Sequence, residues 1–334
     1  MTGQLVAPGG RAIEYLRLSV TDRCNLRCRY CMPPEGVPDI GHPEVLRNEE
    51  ILRLVRVMVG LGIKKVRVTG GEPLVRRGIV EMMEDLGRVQ GLEDLVMTTN
   101  GLLLDTYAAD LGRAGLKRVN LSLDTVRPER YREMTRGGDI ARFWRGLRAA
   151  EAAGLDPIKI NCVVMRGVND DEVIALAGLA LEHAWEIRFI EYMPVGCGAD
   201  DSGTWRRHFV SWEEVRDVIT GRWDLLELPH RPGSTARLYR MDGMAGRIGF
   251  IPSVSGHLCA ECNRLRLTAD GNLHLCLLQG GSADLRKPLR EGARDRELAS
   301  VIRSAVLDKP LHHGLDPAGN LAGSQDRPMS KLGG

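Results

Sequence analysis

Between Tyr15 and Thr220 the chain repeats one rhythm six times: a short apolar, β-branched run, then a longer segment whose apolar residues recur every three to four positions. The pairs are YLRLSV with NEEILRLVRVMVGLG, KKVRVTG with GIVEMMEDLGRV, LEDLVMTTNG with TYAADLGRAG, LKRVNLSLD with IARFWRGLRAAEAAG, PIKINCVVMRGVN with DEVIALAGLALEHA, and EIRFIEYMPVG with SWEEVRDVITG. The first member of each pair predicts a buried parallel strand and the second an amphipathic helix. Gly62, Gly115 and Gly154 fall where helices need to stop. Six βα units predict an α/β fold with a parallel sheet, either doubly wound or curved into a partial barrel. The order of the strands stays open at this point.

After about Trp223 the rhythm breaks, and Pro229, Pro232 and Gly233 mark a boundary. Residues 1–228 are therefore read as the βα domain. Residues 229–334 are read as a C-terminal region of short strands and turns, with a mobile tail from about Gly314. A length of 334 residues suits one large α/β domain with a smaller appendage. The net charge of +2 argues against a nucleic-acid partner for the whole chain, so any anion site must be built from local arginines. No apolar stretch approaches a membrane span, and the opening MTGQLVAPGGRAI lacks the run of a signal peptide. No membrane partner is expected, and a cytoplasmic location is.

Eight cysteines in a reducing compartment point to metal ligands rather than disulfides. Cys162 and Cys197 stand alone and read as small apolar core residues. The other six form two triplets. In CNLRCRYC, Cys24, Cys28 and Cys31 have the spacing C-x3-C-x2-C. Structural zinc wants four protein ligands, whereas a 4Fe–4S cube held by three thiolates keeps one iron open for a small molecule. A zinc site completed by a distant histidine or cysteine is the competing reading. Cys259, Cys262 and Cys276 form the second triplet, C-x2-C-x13-C, and here His257 and His274 are near enough in sequence to complete a zinc site. Between Cys262 and Cys276 lies RLR. Its Arg264 and Arg266 share a face of an extended segment and suit a phosphate.

Ligands of parallel βα sheets bind beyond the carboxyl ends of the strands. Those ends carry the first triplet, TGGEP (69–73), TTNG (98–101), SLD (122–124), Lys159 with Asn161, and Arg188 with Glu191 and Met193. Six polar or sulfur-bearing ends on one rim predict a single large site. The glycines of GGEP would let the backbone approach a ligand, and Glu72 could accept hydrogen bonds from an ammonium group.

CNLRCRYC, with an aromatic residue before its last cysteine, and GGEP after the second strand resemble the signatures of the radical S-adenosylmethionine superfamily. The two triplets, RLR, VRVTGGEPLVRR, TTNG, NLSLD and RFIEYMPVG together are similar to the GTP 3′,8-cyclase family, from about Tyr15 to Cys276, as is the Gly-Gly end. The resemblance implies a partial (β/α)6, TIM-like barrel with a smaller C-terminal Fe–S-binding extension. It implies two 4Fe–4S clusters, on Cys24, Cys28 and Cys31 and on Cys259, Cys262 and Cys276. It further implies contacts to S-adenosylmethionine from Tyr30, Gly71, Ser122 and Met193. Contacts to GTP would come from Arg17, Arg67, Thr98, Lys159, Arg264, Leu265 and Arg266, with Thr99 as a rival to Thr98. Gly333 and Gly334 would enter the site, where composition alone reads a frayed tail.

The activity implied is a lyase reaction, the radical cyclisation of GTP that opens molybdenum cofactor biosynthesis. It needs an unidentified one-electron donor and is carried out by a homodimer. Arg17, just ahead of the first triplet, is the candidate for the final proton or electron delivery. A peptide-modifying radical enzyme with an auxiliary cluster and a non-enzymatic zinc-binding interaction protein are the alternatives.

Overall fold

The computed structural model describes residues 3–196, 204–230, 232–256, 259–315 and 328–333. Cys197, His257 and Gly334 lie outside the described residues.

The six expected strands form as β1 (Tyr15–Ser19), β2 (Lys65–Thr69), β3 (Asp94–Thr99), β4 (Arg118–Ser122), β5 (Lys159–Val164) and β6 (Glu186–Glu191). Each pairs in parallel with the next. The crossovers carry α1 (Asn48–Gly60), α2 (Ile79–Gly87), α3 (Leu104–Arg113), α4 (Pro128–Thr135), α5 (Ile140–Ala152) and α6 (Val173–Glu182). Beyond β6 come α7 (Thr204–His208) and α8 (Trp212–Thr220). Gly62, Gly115 and Gly154 all adopt positive φ just past their helices, the left-handed conformation that a helix stop requires. The helix α4 is not predicted by the sequence pattern. Its stretch PERYREMT is mostly polar, and it buries only Tyr131, Met134 and Thr135.

The strands differ from the expected evenly buried runs. In β1, Leu16 and Leu18 are fully buried, while Tyr15 and Arg17 point the other way, into a cavity. Likewise β2 sends Val66 and Val68 to the core and Lys65, Arg67 and Thr69 to the cavity. The outer face of the sheet packs on helices. The inner face lines a space of about 990 Å³, in place of the stacked side-chain layers that fill a closed barrel.

The C-terminal third contributes β7 (Leu226–Glu227), β8 (Arg237–Arg240), β9 (Arg247–Ile251), β10 (Arg264–Leu267), β11 (Asn272–Cys276) and β12 (Gly280–Asp284). All twelve strands share one sheet, in the order β12-β11-β10-β1-β2-β3-β4-β5-β6-β9-β8-β7. Two of the late strands extend the parallel set. β9 lies beside β6, with Arg247 opposite Glu186. β10 lies beside β1, with Arg264 opposite Tyr15 and Arg266 opposite Arg17. This region is also not all strands and turns. α9 (Arg286–Arg290) leads to α10 (Asp295–Leu307), which buries Leu298, Ala299, Ile302 and Val306 at helical spacing. Of the tail from Gly314, the described residues 328–333 form α11 (Met329–Leu332) followed by Gly333, and Leu332 is buried.

Helix α5 approaches the turn ahead of α3 closely because a glycine stands on each side of the contact. A Cβ on Gly146 would collide with the backbone oxygen of Gly101. Gly146→Ala is expected to destabilise the fold by about 1–3 kcal/mol in thermal or urea unfolding. Gly178→Ala, in α6 with nothing near its would-be Cβ, is expected to be neutral or stabilising.

Candidate active site

The first cysteine loop is held by backbone contacts on two sides. The N–H of Gly71 donates to the carbonyl of Thr21 at 2.7 Å, and that of Glu72 to Arg23 at 2.8 Å. A Cβ on Gly70 would stand 2.7 Å from the Thr21 oxygen, and one on Gly71 would overlap the Arg23 carbonyl. The close approach that GGEP permits is therefore to the cysteine loop itself. On the other side, the N–H groups of Arg27 and Arg29 donate to Thr135 and Met134 at the end of α4. The helix absent from the sequence reading thus props the loop.

Glu72 has partners from the chain itself. It is buried, one oxygen accepts from the Thr99 hydroxyl (2.6 Å) and the Leu74 N–H, and the other accepts from the Asn100 N–H (2.8 Å). Burial still pushes its pKa up, to about 7, against those donors. The same contact separates the two threonines. Thr99 is committed to Glu72, while Thr98 accepts from Arg67 at 3.3 Å on the cavity side.

Cys24, Cys28 and Cys31 are partly exposed, outside any disulfide, and line the cavity. So do Cys259, Cys262 and Cys276, from the segment before β10 and the end of β11. Both triplets thus face one space. Cys162 is fully buried, as expected of a core residue. Among the described residues no three His, Cys, Asp or Glu side chains converge on one metal ion. A cubane puts each thiolate on a different iron and asks for no such convergence.

On the cavity walls the register of β10, β1 and β2 gathers cations. Burial, then the charges of Arg266 and Arg67, pulls the Arg17 pKa well below its usual value, with Tyr15 opposing. Arg67 lies over the Tyr15 ring, and its Nε is buried without a partner. On β5 and β6, Lys159 bonds Glu186 at 3.1 Å, and Arg188 bonds the same carboxylate. Burial first, and then Arg188, lowers the Lys159 pKa to about 8 despite Glu186. Arg264 and Arg266 face the cavity, but Leu265 has its side chain in the core, so only its backbone can meet a ligand.

Ser122, Met193 and Tyr30 line the same space. Tyr30 bonds Asp124, whose pKa burial raises to about 6. Gly333 is seated in the barrel: its carbonyl accepts from Arg266 at 2.6 Å, and a Cβ there would stand 2.6 Å from the Thr69 hydroxyl. The cavity also holds polar groups that the sequence reading did not assign. Both amide atoms of Asn120, and the amide oxygens of Asn161 and Asn263, are buried without partners. Asn120 and Asn161 sit on the inward period of β4 and β5, a signal present in NLSLD and KINC. No local signal marked Asn263.

The fold and the first cysteine loop place the chain in the radical S-adenosylmethionine superfamily. A sequence model described as the radical SAM superfamily matches residues 18–180, and one described as Molybdenum Cofactor Synthesis C matches 185–315. A GTP 3′,8-cyclase of Pelotomaculum thermopropionicum is 49% identical over 328 residues, covering 97% of this chain and 98% of its own. Another, of Geobacter sulfurreducens, is 45% identical over 334 residues, covering 99% and 100%. The chain belongs to the GTP 3′,8-cyclase family. Among solved structures, Streptococcus suis SuiB bound to S-adenosylmethionine superposes with a TM-score of 0.58, over 88% of this chain and 69% of that one, at 15% identity. That likeness is one of fold.

Membership implies a 4Fe–4S cluster and S-adenosylmethionine. The residues fit: three thiols outside any disulfide lie beside a cavity whose buried amides still want partners. No helix among the described residues is long and apolar enough to cross a membrane.

The lowered Lys159 pKa sets a pH dependence. Between about pH 8 and 10.5 the unfolded chain binds a proton that the folded chain lacks, so stability rises with pH across that window. Lys159→Met is expected to flatten the rise, read as urea midpoints at the two ends.

Proposed function

We propose that this chain converts GTP to (8S)-3′,8-cyclo-7,8-dihydroguanosine 5′-triphosphate, the first step of molybdenum cofactor biosynthesis. The observation that carries the reading is one cavity lined by both cysteine triplets and by a cluster of cations. Cys24, Cys28 and Cys31 hold the first 4Fe–4S cluster. Cys259, Cys262 and Cys276 would hold a second, which would anchor the guanine. When bound, the first cluster and S-adenosylmethionine supply a carbon-centred radical able to take hydrogen from C3′ of the ribose, a bond that acids and bases leave untouched.

The chain's own residues do the rest. Tyr30, Gly71, Ser122 and Met193 contact S-adenosylmethionine. Arg67, Lys159, Arg264 and Arg266 bind the nucleotide as charge-assisted donors, with Thr98 beside Arg67. Holding GTP at both ends fixes C3′ toward the adenosyl group, and a nucleotide filling the cavity excludes water. Arg17 stands among these groups and helps deliver the last proton, or the electron that a separate donor supplies, to the cyclised ring. Gly333, followed by Gly334, brings backbone into the site without side-chain bulk. The reading also carries a cytoplasmic homodimer served by a separate one-electron donor.

Anaerobically reconstituted chain is expected to bind about eight iron and to form 5′-deoxyadenosine only when GTP is present. Formation that ignores GTP, or that needs a peptide, overturns the reading. In single turnover, Arg17→Lys is expected to release 5′-deoxyadenosine while cyclised product is lost, and an unchanged product yield removes Arg17 from that role. GTP affinity is expected to weaken as pH rises through about 8, where Lys159 loses its charge. Lys159→Arg is expected to abolish that dependence in calorimetric titrations.

A further inference from the structure

Behind the second triplet, two segments without a role so far meet the chain around Cys259. Arg11, near the N-terminus, is buried and donates to the carbonyls of Cys259 (3.1 Å), Pro8 (2.8 Å), Lys309 (3.3 Å) and Pro310 (3.0 Å). Lys309 follows α10, its N–H tied to Val306 at 3.1 Å, and is only 3% exposed. Its Nζ donates to the carbonyl of Arg264 at 2.9 Å and to that of Leu275, the residue before Cys276. The sulfurs of Cys262 and Cys276 line the same cavity as Lys309 and lie near enough to feel its charge.

No carboxylate among the described residues forms a salt bridge with this buried cation, although such charges normally need one. The side chains beside it are the thiols of the second triplet. Arg11 fixes the backbone of Lys309 and of Cys259 together, so the placement is built rather than incidental.

We propose that Lys309 is a positioning residue for the second iron–sulfur cluster, its ammonium held by the Arg264 and Leu275 carbonyls beside Cys262 and Cys276, offsetting the cluster's negative charge and raising its reduction potential. This rests on the reading that Cys259, Cys262 and Cys276 hold such a cluster. Reduction adds one electron and makes the cluster one unit more negative, so a nearby cation stabilises the reduced form more than the oxidised one. A role confined to tying down two carbonyls would hold the segments together without moving the potential.

The test is an anaerobic dithionite titration of the reconstituted full chain, followed by electron paramagnetic resonance of both clusters. Lys309→Met is expected to make reduction of the second cluster at least tenfold less favourable, about 59 mV for one electron, with the first cluster unmoved. Lys309→Arg is expected to restore most of the difference. Equal midpoints in wild type and Lys309→Met, with both clusters present, overturn the proposal. Should Lys309→Met lose the second cluster, Lys309→Gln is titrated instead: a lowered midpoint supports the proposal and an unchanged one overturns it. Loss of the cluster in both neutral variants but not in Lys309→Arg supports the charge, and loss in all three overturns it. The wild-type iron count comes first, because about four iron instead of about eight overturns the two-cluster reading itself, and this proposal with it.

Discussion

The parallel pairing of β10 with β1 is the contact on which the site depends. It sets Arg264 opposite Tyr15 and Arg266 opposite Arg17, and it extends a sheet whose next strand carries Lys65 and Arg67. Because alternate residues of a strand share a face, a single register choice turns all of these side chains into the cavity and Leu16, Leu18, Leu265 and Leu267 into the core. A slip of one residue would bury the arginines among helices and hand the cavity to leucines. The same pairing carries Cys259 and Cys262, just ahead of β10, to the wall shared with the first triplet.

Gathering cations in this way works against the fold. Burial and mutual repulsion lower the pKa values of Arg17, Arg188 and Arg266, and Arg67 keeps a buried Nε without a partner. Such a cluster is tolerated because the strands around it are held elsewhere by a continuous apolar core, and because Glu186 and the Gly333 carbonyl accept from some of the cations. The arrangement is most stable with a polyanion inside. That is the physical link between an unfavourable interior and a nucleotide-binding function.

Periodicity made the six βα units readable, since an amphipathic helix or a strand end is a property of neighbouring residues. Of the helices absent from the sequence reading, two escaped for opposite reasons. In α4 the polar stretch PERYREMT presents too little apolar face, since the helix mainly props the cysteine loop. In α10 the spacing of Leu298, Ile302 and Val306 was present, but it lay in a region read as strands and turns. The partners that the chain itself supplies to Glu72 and to the glycine pair were not legible, because they depend on what the fold places opposite them. Glu72 meets Thr99 and the Asn100 N–H, and Gly71 meets the Arg23 carbonyl. Asn120 and Asn161 were visible in their strands as polar inward positions, whereas Asn263 gained its place only from the loop between Cys262 and β10.

The amino-acid sequence by itself determined the chemistry available: two sets of three thiols, an arginine pair two residues apart, a glycine pair after the second strand, and the βα rhythm that builds a rim. These are short-range properties, settled by residue type and spacing. Only the tertiary structure decided that both triplets share one cavity, that Thr98 meets Arg67 while Thr99 bonds Glu72, that Gly333 reaches Arg266, and that Lys309 stands beside the second triplet. Those facts come from strand register and from backbone approaches between distant segments, which no local pattern specifies.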